Sequence, residues 1–351
     1  MGERWAKIGF LTIVLSLTAV QALYADDTVH ECKLAVLAPE GTSWSEAGDT
    51  IAGDIAERTS GRIHVTWYYG GVLGDEHDAI KKIRIGQIQG GGFTLLGLGL
   101  MAPAVKILEL PFLFESYEEI DHVLNVMDRS FHALFEEQGL VLLGWVEVGF
   151  VQLFSGRPAA GLGGFTRSKC WSWSGEEVAR EALEAMGIHG IVPLNIADVF
   201  TALQTGTVDA FYGTYYTTTA LQWYQFTKSM TNWHFSYTPA AIVVHRRFMD
   251  GLPKELHEPF LESWRIHLPR LTRRIREDEA KAFEGLKREG ISVIEFEKEE
   301  LEQIVNSTRK TYNLFTGRYY TQEMLDRLLE AIGEFRSMRE RVLPVSSPGG
   351  K

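Results

Sequence analysis

Cysteine is almost absent: Cys32 and Cys170 are the only two in 351 residues. Two thiols make no disulfide framework, and no CxxC is present to hold zinc or run thiol exchange. The two are expected in different lobes, as buried apolar residues. HExxH and GxSxG are missing too, which removes common metalloprotease and serine-hydrolase signatures. Basic residues are the minority, 35 Lys and Arg against 46 Asp and Glu, for a net charge of −11. No cationic block stands out, and phosphate backbones need clustered cations, so a nucleic-acid partner is disfavoured. Internal repeats, heptads and low-complexity stretches are lacking, and only one long apolar run occurs.

That run spans residues 8–20, behind Arg4 and Lys7 and ahead of Ala22, Ala25, Asp26 and Asp27. A basic, then apolar, then small-residue order is a secretory signal peptide, and the run is too short for a membrane span. Residues 1–25 are therefore expected to be removed, with the cut after Ala22 or Ala25, leaving a soluble periplasmic protein. Loss of Glu3, Arg4 and Lys7 takes the formal charge from −11 to −12.

Past residue 30 the pattern alternates strand and helix. Cys32–Leu37, Ile63–Tyr69 and Gly90–Leu96 read as strands, Ser43–Thr59 and Asp75–Gly86 as helices. Residues 107–113 read as a compact apolar, hinge-like segment. Two strands, Leu140–Val148 and Phe150–Leu153, precede a second α/β run with strands at Lys169–Trp173, Val208–Tyr212 and Ala240–His245. From Leu252 the chain is mainly helical, with a strand at Ile291–Phe296, and Pro269 is expected to kink or split its first long helix. Such alternation implies parallel sheets covered by helices, in two α/β lobes with a cleft between them.

Two motifs imitate chemistry. Gly97-Leu98-Gly99-Leu100-Met101-Ala102 fits GxGxxA but follows a third strand, so it reads as a tight turn lining the cleft rather than a nucleotide loop. Asp75-Glu76-His77-Asp78 resembles a metal cluster, yet consecutive helical residues do not converge, and acids suit a first helical turn. The ten His are scattered; His189 and His234 read as structural. No cofactor, no metal and no catalytic set are expected. Aromatics, by contrast, gather at strand ends and loops, among them Trp67, Tyr69, Trp171, Trp173, Phe211, Tyr212, Tyr215, Tyr216, Trp223, Trp233 and Tyr237. As a set they suggest a largely apolar pocket with a few polar handles.

Three stretches in order carry a resemblance: Leu73-Gly74-Asp75-Glu76 through Gly86-Gln87-Ile88, then Leu108-Glu109-Leu110-Pro111-Phe112-Leu113-Phe114, then Val199-Phe200-Thr201-Ala202-Leu203-Gln204-Thr205-Gly206-Thr207-Val208-Asp209. Through them the chain resembles the TRAP-transporter solute receptors of the DctP type, over nearly all of its mature length. The resemblance implies a two-lobe periplasmic solute-binding fold, a long helix bridging the lobes and hinge closure on a solute. It implies a receptor, not an enzyme, working with TRAP membrane subunits. The expected division is 26–149 plus about 235–265 for lobe I, 150–234 plus about 266–342 for lobe II with the C-terminal helices, and a flexible tail at 343–351.

Family members commonly hold a carboxylate with an Arg in the strand here reading Ser168–Trp173; that position is Trp171. A second family Arg matches Val151, a family Asn matches Gly213, and a family aromatic matches Ile196. Cation and amide are thus replaced, and a buried unpaired carboxylate is costly, so an apolar or weakly polar solute is expected. The expected pocket set is Trp44, Glu76, Thr94, Val151, Trp171, Trp173, Ile196, Phe211, Tyr212, Gly213, Tyr215 and Trp233. Alternatives are an organic acid bound through a relocated cation, with Arg157 or Arg167 as candidates, or a sensor for a membrane signalling protein. A divergent subgroup lacking the Arg works with a TPR-containing periplasmic partner.

Overall fold

A computed structural model describes residues 28–342; the expected signal peptide and tail lie outside them. Ten strands follow in chain order: β1 His30–Ala35, β2 Ile63–Tyr68, β3 Gly90–Thr94, β4 Leu140–Ser155, β5 Cys170–Trp173, β6 Ile191–Leu194, β7 Ala210–Gly213, β8 Ser229–Thr231, β9 Ser236–His245 and β10 Ser292–Ile294. Their main path is β2-β1-β3-β9-β4-β7-β5-β6, with β8 pairing β4 and β10. β1 pairs in parallel with β2 and β3, and β5 with β6 and β7. Helices cover both parallel groups, the α/β architecture that the strand–helix alternation predicts.

The two parallel groups are joined through β4 and β9, which run antiparallel to each other. The sequence suggests two strands over 140–153; they are one strand of 16 residues. Its pairing to β9 shifts between Leu142 and Gly144 and between Glu147 and Gly149. Gly144 and Gly149 sit at φ +157 and +126, a backbone region that favours glycine. A bulge with a glycine bends the strand without ending it, so β4 passes from one lobe to the other.

The helix Lys254–Arg288 also spans both lobes. Phe260, Trp264, Leu268, Leu271 and Ile275 pack beneath β1 and β2, while Ala282 and Leu286 pack with Trp171 and Phe211. Pro259 and Pro269 lie inside it, yet it is one continuous helix of 35 residues. Pro269 does not split it: the buried side chains on either side hold the axis while a carbonyl one turn back goes without its usual N–H.

Two other expectations differ. Gln322–Val342, grouped by sequence with the second lobe, sets Leu325, Leu328, Ala331 and Ile332 among Val105, Ile107 and Phe131 of the first. Its apolar stripe is the right width for either lobe, and only long-range packing chooses. GxGxxA is not a turn but the buried helix Leu95–Met101. A Cβ on Gly97 would stand 2.6 Å from Glu76 Oε2, and one on Gly99 2.6 Å from Lys106 Cε. The glycines therefore admit two charged side chains rather than a nucleotide. Cys32 and Cys170 are free and buried, in separate core clusters.

Candidate functional site

A cavity of about 610 Å3 opens between the lobes, within the size range of small-molecule sites. It lies beyond the carboxyl ends of the parallel strands, where ligands bind in open α/β sheets. The chain just after β1 supplies Val36 and Leu37, β3 supplies Thr94, β5 Trp173, the turn after β6 Asn195, and β7 Gly213.

Nine of the twelve expected residues meet there: Trp44, Glu76, Thr94, Val151, Trp171, Trp173, Ile196, Tyr212 and Gly213. Three do not. Phe211 takes the face of β7 opposite Tyr212 and stacks on Phe154 at 4.9 Å, fully buried, because adjacent strand residues point to opposite faces. Tyr215 turns its hydroxyl back to donate to the Thr231 carbonyl at 2.7 Å. Trp233 stacks on Phe112 at 5.2 Å and edges Phe296 at 5.1 Å. In each, a core partner claims the ring.

Trp171 is 2% exposed, so most of its indole is wall rather than contact surface. It stacks on Tyr212 at 5.1 Å and meets Trp223 edge-on at 5.3 Å. Its Nε1–H donates to the Leu194 carbonyl at 3.0 Å, which leaves no donor for a solute. Trp173 differs: its backbone N–H donates to Tyr212 Oη at 3.2 Å, and its buried Nε1 has no partner.

Glu76 lines the cavity but is already satisfied. Oε1 accepts the Thr94 N–H at 2.7 Å, and Oε2 accepts Thr94 Oγ1 at 2.9 Å and the Gly97 N–H at 2.6 Å. It pins the helix Glu76–Arg84 to the end of β3. The preceding Asp75 caps that helix, accepting from the Asp78 N–H at 3.2 Å, as expected of acids at a helix start.

Sequence reasoning missed Glu109, Glu176, Tyr216 and Thr238, all on the cavity wall. Glu109 stands in the Leu108–Phe114 stretch singled out above, and Tyr216 in the aromatic set; their local pattern marks neither as a wall residue. Lys106 Nζ lies 2.9 Å and 3.1 Å from the two oxygens of Glu176, with both side chains 5% exposed. Lys106 follows β3 and Glu176 precedes the helix after β5, so this pair ties the lobes across the cleft floor. At the rim, Ser43 N–H donates to Tyr216 Oη at 3.2 Å.

No Lys, Arg or His among the described residues lines the cavity. Arg157 is exposed and held by Asp209, and Arg167 is exposed; both stand outside the wall. Burial pushes the carboxyls of Glu76 and Glu279 up to about 7. Burial and the neighbouring Glu176 push Glu109 up to about 8.

These raised values set a pH dependence. A carboxyl with a folded pKa above its unfolded one stabilises the fold below the unfolded value and loses that contribution as pH rises through the folded value. Tm should therefore fall by several degrees between about pH 5 and about pH 8, and level off above the folded values. Differential scanning calorimetry checks this, and Glu109→Gln should flatten the slope. A Tm that rises across the window would contradict it.

A family model of the bacterial extracellular solute-binding proteins, family 7 (DctP), matches residues 34–318. The chain belongs to that family. It is 27% identical over 248 residues to a solute-binding protein of Verminephrobacter eiseniae, covering 70% of this chain and 74% of the relative. It is 24% identical over 244 residues to the 2,3-diketo-L-gulonate-binding periplasmic protein YiaO of Escherichia coli, covering 68% and 73%. The solved sugar acid binding protein DctPAm of Advenella mimigardefordensis, in complex with galactonate, superposes with a TM-score of 0.81 at 20% identity, covering 88% of this chain and 99% of that one. The protein is thus a TRAP periplasmic solute receptor with the two-lobe fold, not an enzyme. Receptors of this kind bind small organic solutes and work with membrane subunits.

Proposed function

We propose that this TRAP receptor captures a small organic solute whose body is apolar or weakly polar and delivers it to the transporter's membrane subunits. The observation that carries the reading is the cation-free cavity wall, with Trp171 in place of the family Arg. A carboxylate entering this cleft would find no counter-ion, and a buried unpaired charge is strongly disfavoured. Seven wall residues are large aromatics, Trp44, Phe93, Trp171, Trp173, Tyr212, Tyr216 and Trp223, which suit flat or hydrophobic bodies. The twelve expected ligand contacts reduce on this reading to the nine on the wall, with Tyr216 added.

The relatives favour a second reading, an organic acid, since YiaO and DctPAm are named for acids. On that reading a cation would have to come from outside the wall, from Arg157 or Arg167 after a rearrangement. Mass spectrometry of the solute that co-purifies from the native periplasm separates the two. A hydrophobic molecule supports the first; a dicarboxylate or sugar acid, bound again on add-back, overturns it.

The same proposal includes export by removal of residues 1–25, lobe boundaries near residues 150, 235 and 265, and a TPR-containing partner in the periplasm. The N-terminus of periplasmic protein is expected to begin between Leu23 and Asp26, and one beginning at Met1 counts against export.

A further inference from the structure

The cleft floor holds an incomplete charge set. Lys106 is committed to both oxygens of Glu176. Glu109 stands beside that pair, and its Oε1 accepts Thr238 Oγ1 at 2.7 Å. Its Oε2 is buried with no partner. Two carboxyls thus share one ammonium, and Glu109 is the one left without a cation. Glu76, from the helix Glu76–Arg84, also faces it and carries three donors of its own. Tyr212 of β7 and Glu176 at the start of the helix Glu177–Ala185 complete the charged and titratable surroundings, while Tyr319 lies over Lys106 at 5.6 Å. A buried carboxyl oxygen with no partner accepts a donor, and in an aromatic cavity without bases a cation gains from the ring faces as well.

We propose that the solute carries a protonated amine, which hydrogen-bonds Glu109 while its apolar remainder lies against the rings of Trp44, Trp171 and Trp173. This rests on the reading of the cleft as a site not built for a carboxylate, and names the polar group of that solute. Glu109 then plays the part that the clamp Arg plays for an acid, with the charges exchanged.

Binding of an ammonium requires Glu109 ionised, and its pKa in the free protein stands near 8. Below that pH each binding event must expel one proton, so affinity for an amine rises about tenfold per pH unit until Glu109 is ionised.

Isothermal titration with a matched set tests the inference: phenethylamine, phenethyl alcohol and phenylacetate, in two buffers of different ionisation enthalpy. The amine is expected to bind at least tenfold more tightly than the other two, with proton release that fades as the pH approaches about 8. Glu109→Gln should remove that preference and leave the alcohol unaffected. If Glu109→Gln does not fold, the proton release and pH slope of the wild type still decide. Equal binding of amine and alcohol, proton uptake, or no amine binding at millimolar concentration overturns the inference, whatever the other probes do. Tightest binding by phenylacetate overturns both the inference and the reading beneath it.

Discussion

Trp171→Arg is expected to destabilise the protein by about 3–5 kcal/mol, the cost of a buried charge without a partner. The indole it replaces is enclosed by Tyr212 at 5.1 Å, Trp223 at 5.3 Å and Trp173 at 6.0 Å. A guanidinium there meets ring carbons on three sides, and one carbonyl, that of Leu194. Trp171→Phe keeps the stack on Tyr212 and gives up the bond to Leu194, whose carbonyl still accepts the Ser174 N–H at 3.2 Å, so it should cost about 0.5–1.5 kcal/mol, the net worth of one hydrogen bond. Urea unfolding of the three proteins gives the order directly. Titration with galactonate adds the functional half: on the proposed reading neither wild type nor Trp171→Phe binds it. A Trp171→Arg protein as stable as wild type would show a cavity already prepared for a cation, and the apolar-solute reading would fall with it.

Lys106→Met is the second large effect. It leaves Glu109 and Glu176 buried together with no cation, and removing one partner of a buried pair costs about 3–5 kcal/mol. Because Lys106 and Glu176 come from opposite sides of the cleft, that energy is withdrawn from closure as well as from folding. A change of this size moves a two-state equilibrium more than a hundredfold. Small-angle scattering should therefore show a larger radius of gyration for Lys106→Met than for wild type. The loss should be greater at about pH 8 than at about pH 5, since protonation of Glu109, whose carboxyl is pushed up to about 8, relieves part of the unpaired charge. Adding Glu176→Gln to Lys106→Met should recover part of the stability. Unchanged scattering and an unchanged Tm would mean that the pair does not hold the lobes.

Much of this was legible in the chain. Strand–helix alternation gives parallel sheets because only helical crossovers join parallel neighbours. The Val199–Asp209 stretch and its two companions identify the family. Aromatics gathered at strand ends mark a cleft, since those ends are where open sheets leave a crevice.

The positions that went astray share one cause. Phe211 and Tyr212 are adjacent in sequence and equally aromatic, yet one is core and the other wall. Strand alternation separates them, and which face points inward depends on Phe154, some 57 positions earlier. Tyr215 and Tyr216 divide similarly, one claimed by Thr231 and the other by Ser43.

Composition, periodicity and motif order, all local properties, determined the α/β class and the receptor family. The tertiary structure alone decided the rest. It brought Lys106 to Glu176 across 70 residues and left Glu109 beside them without a cation. It carried β4 through two bulges and set the helix Gln322–Val342 on the first lobe. Each of these depends on which distant surfaces meet. A charge or an apolar stripe advertises in sequence that it needs a partner, but not where that partner stands.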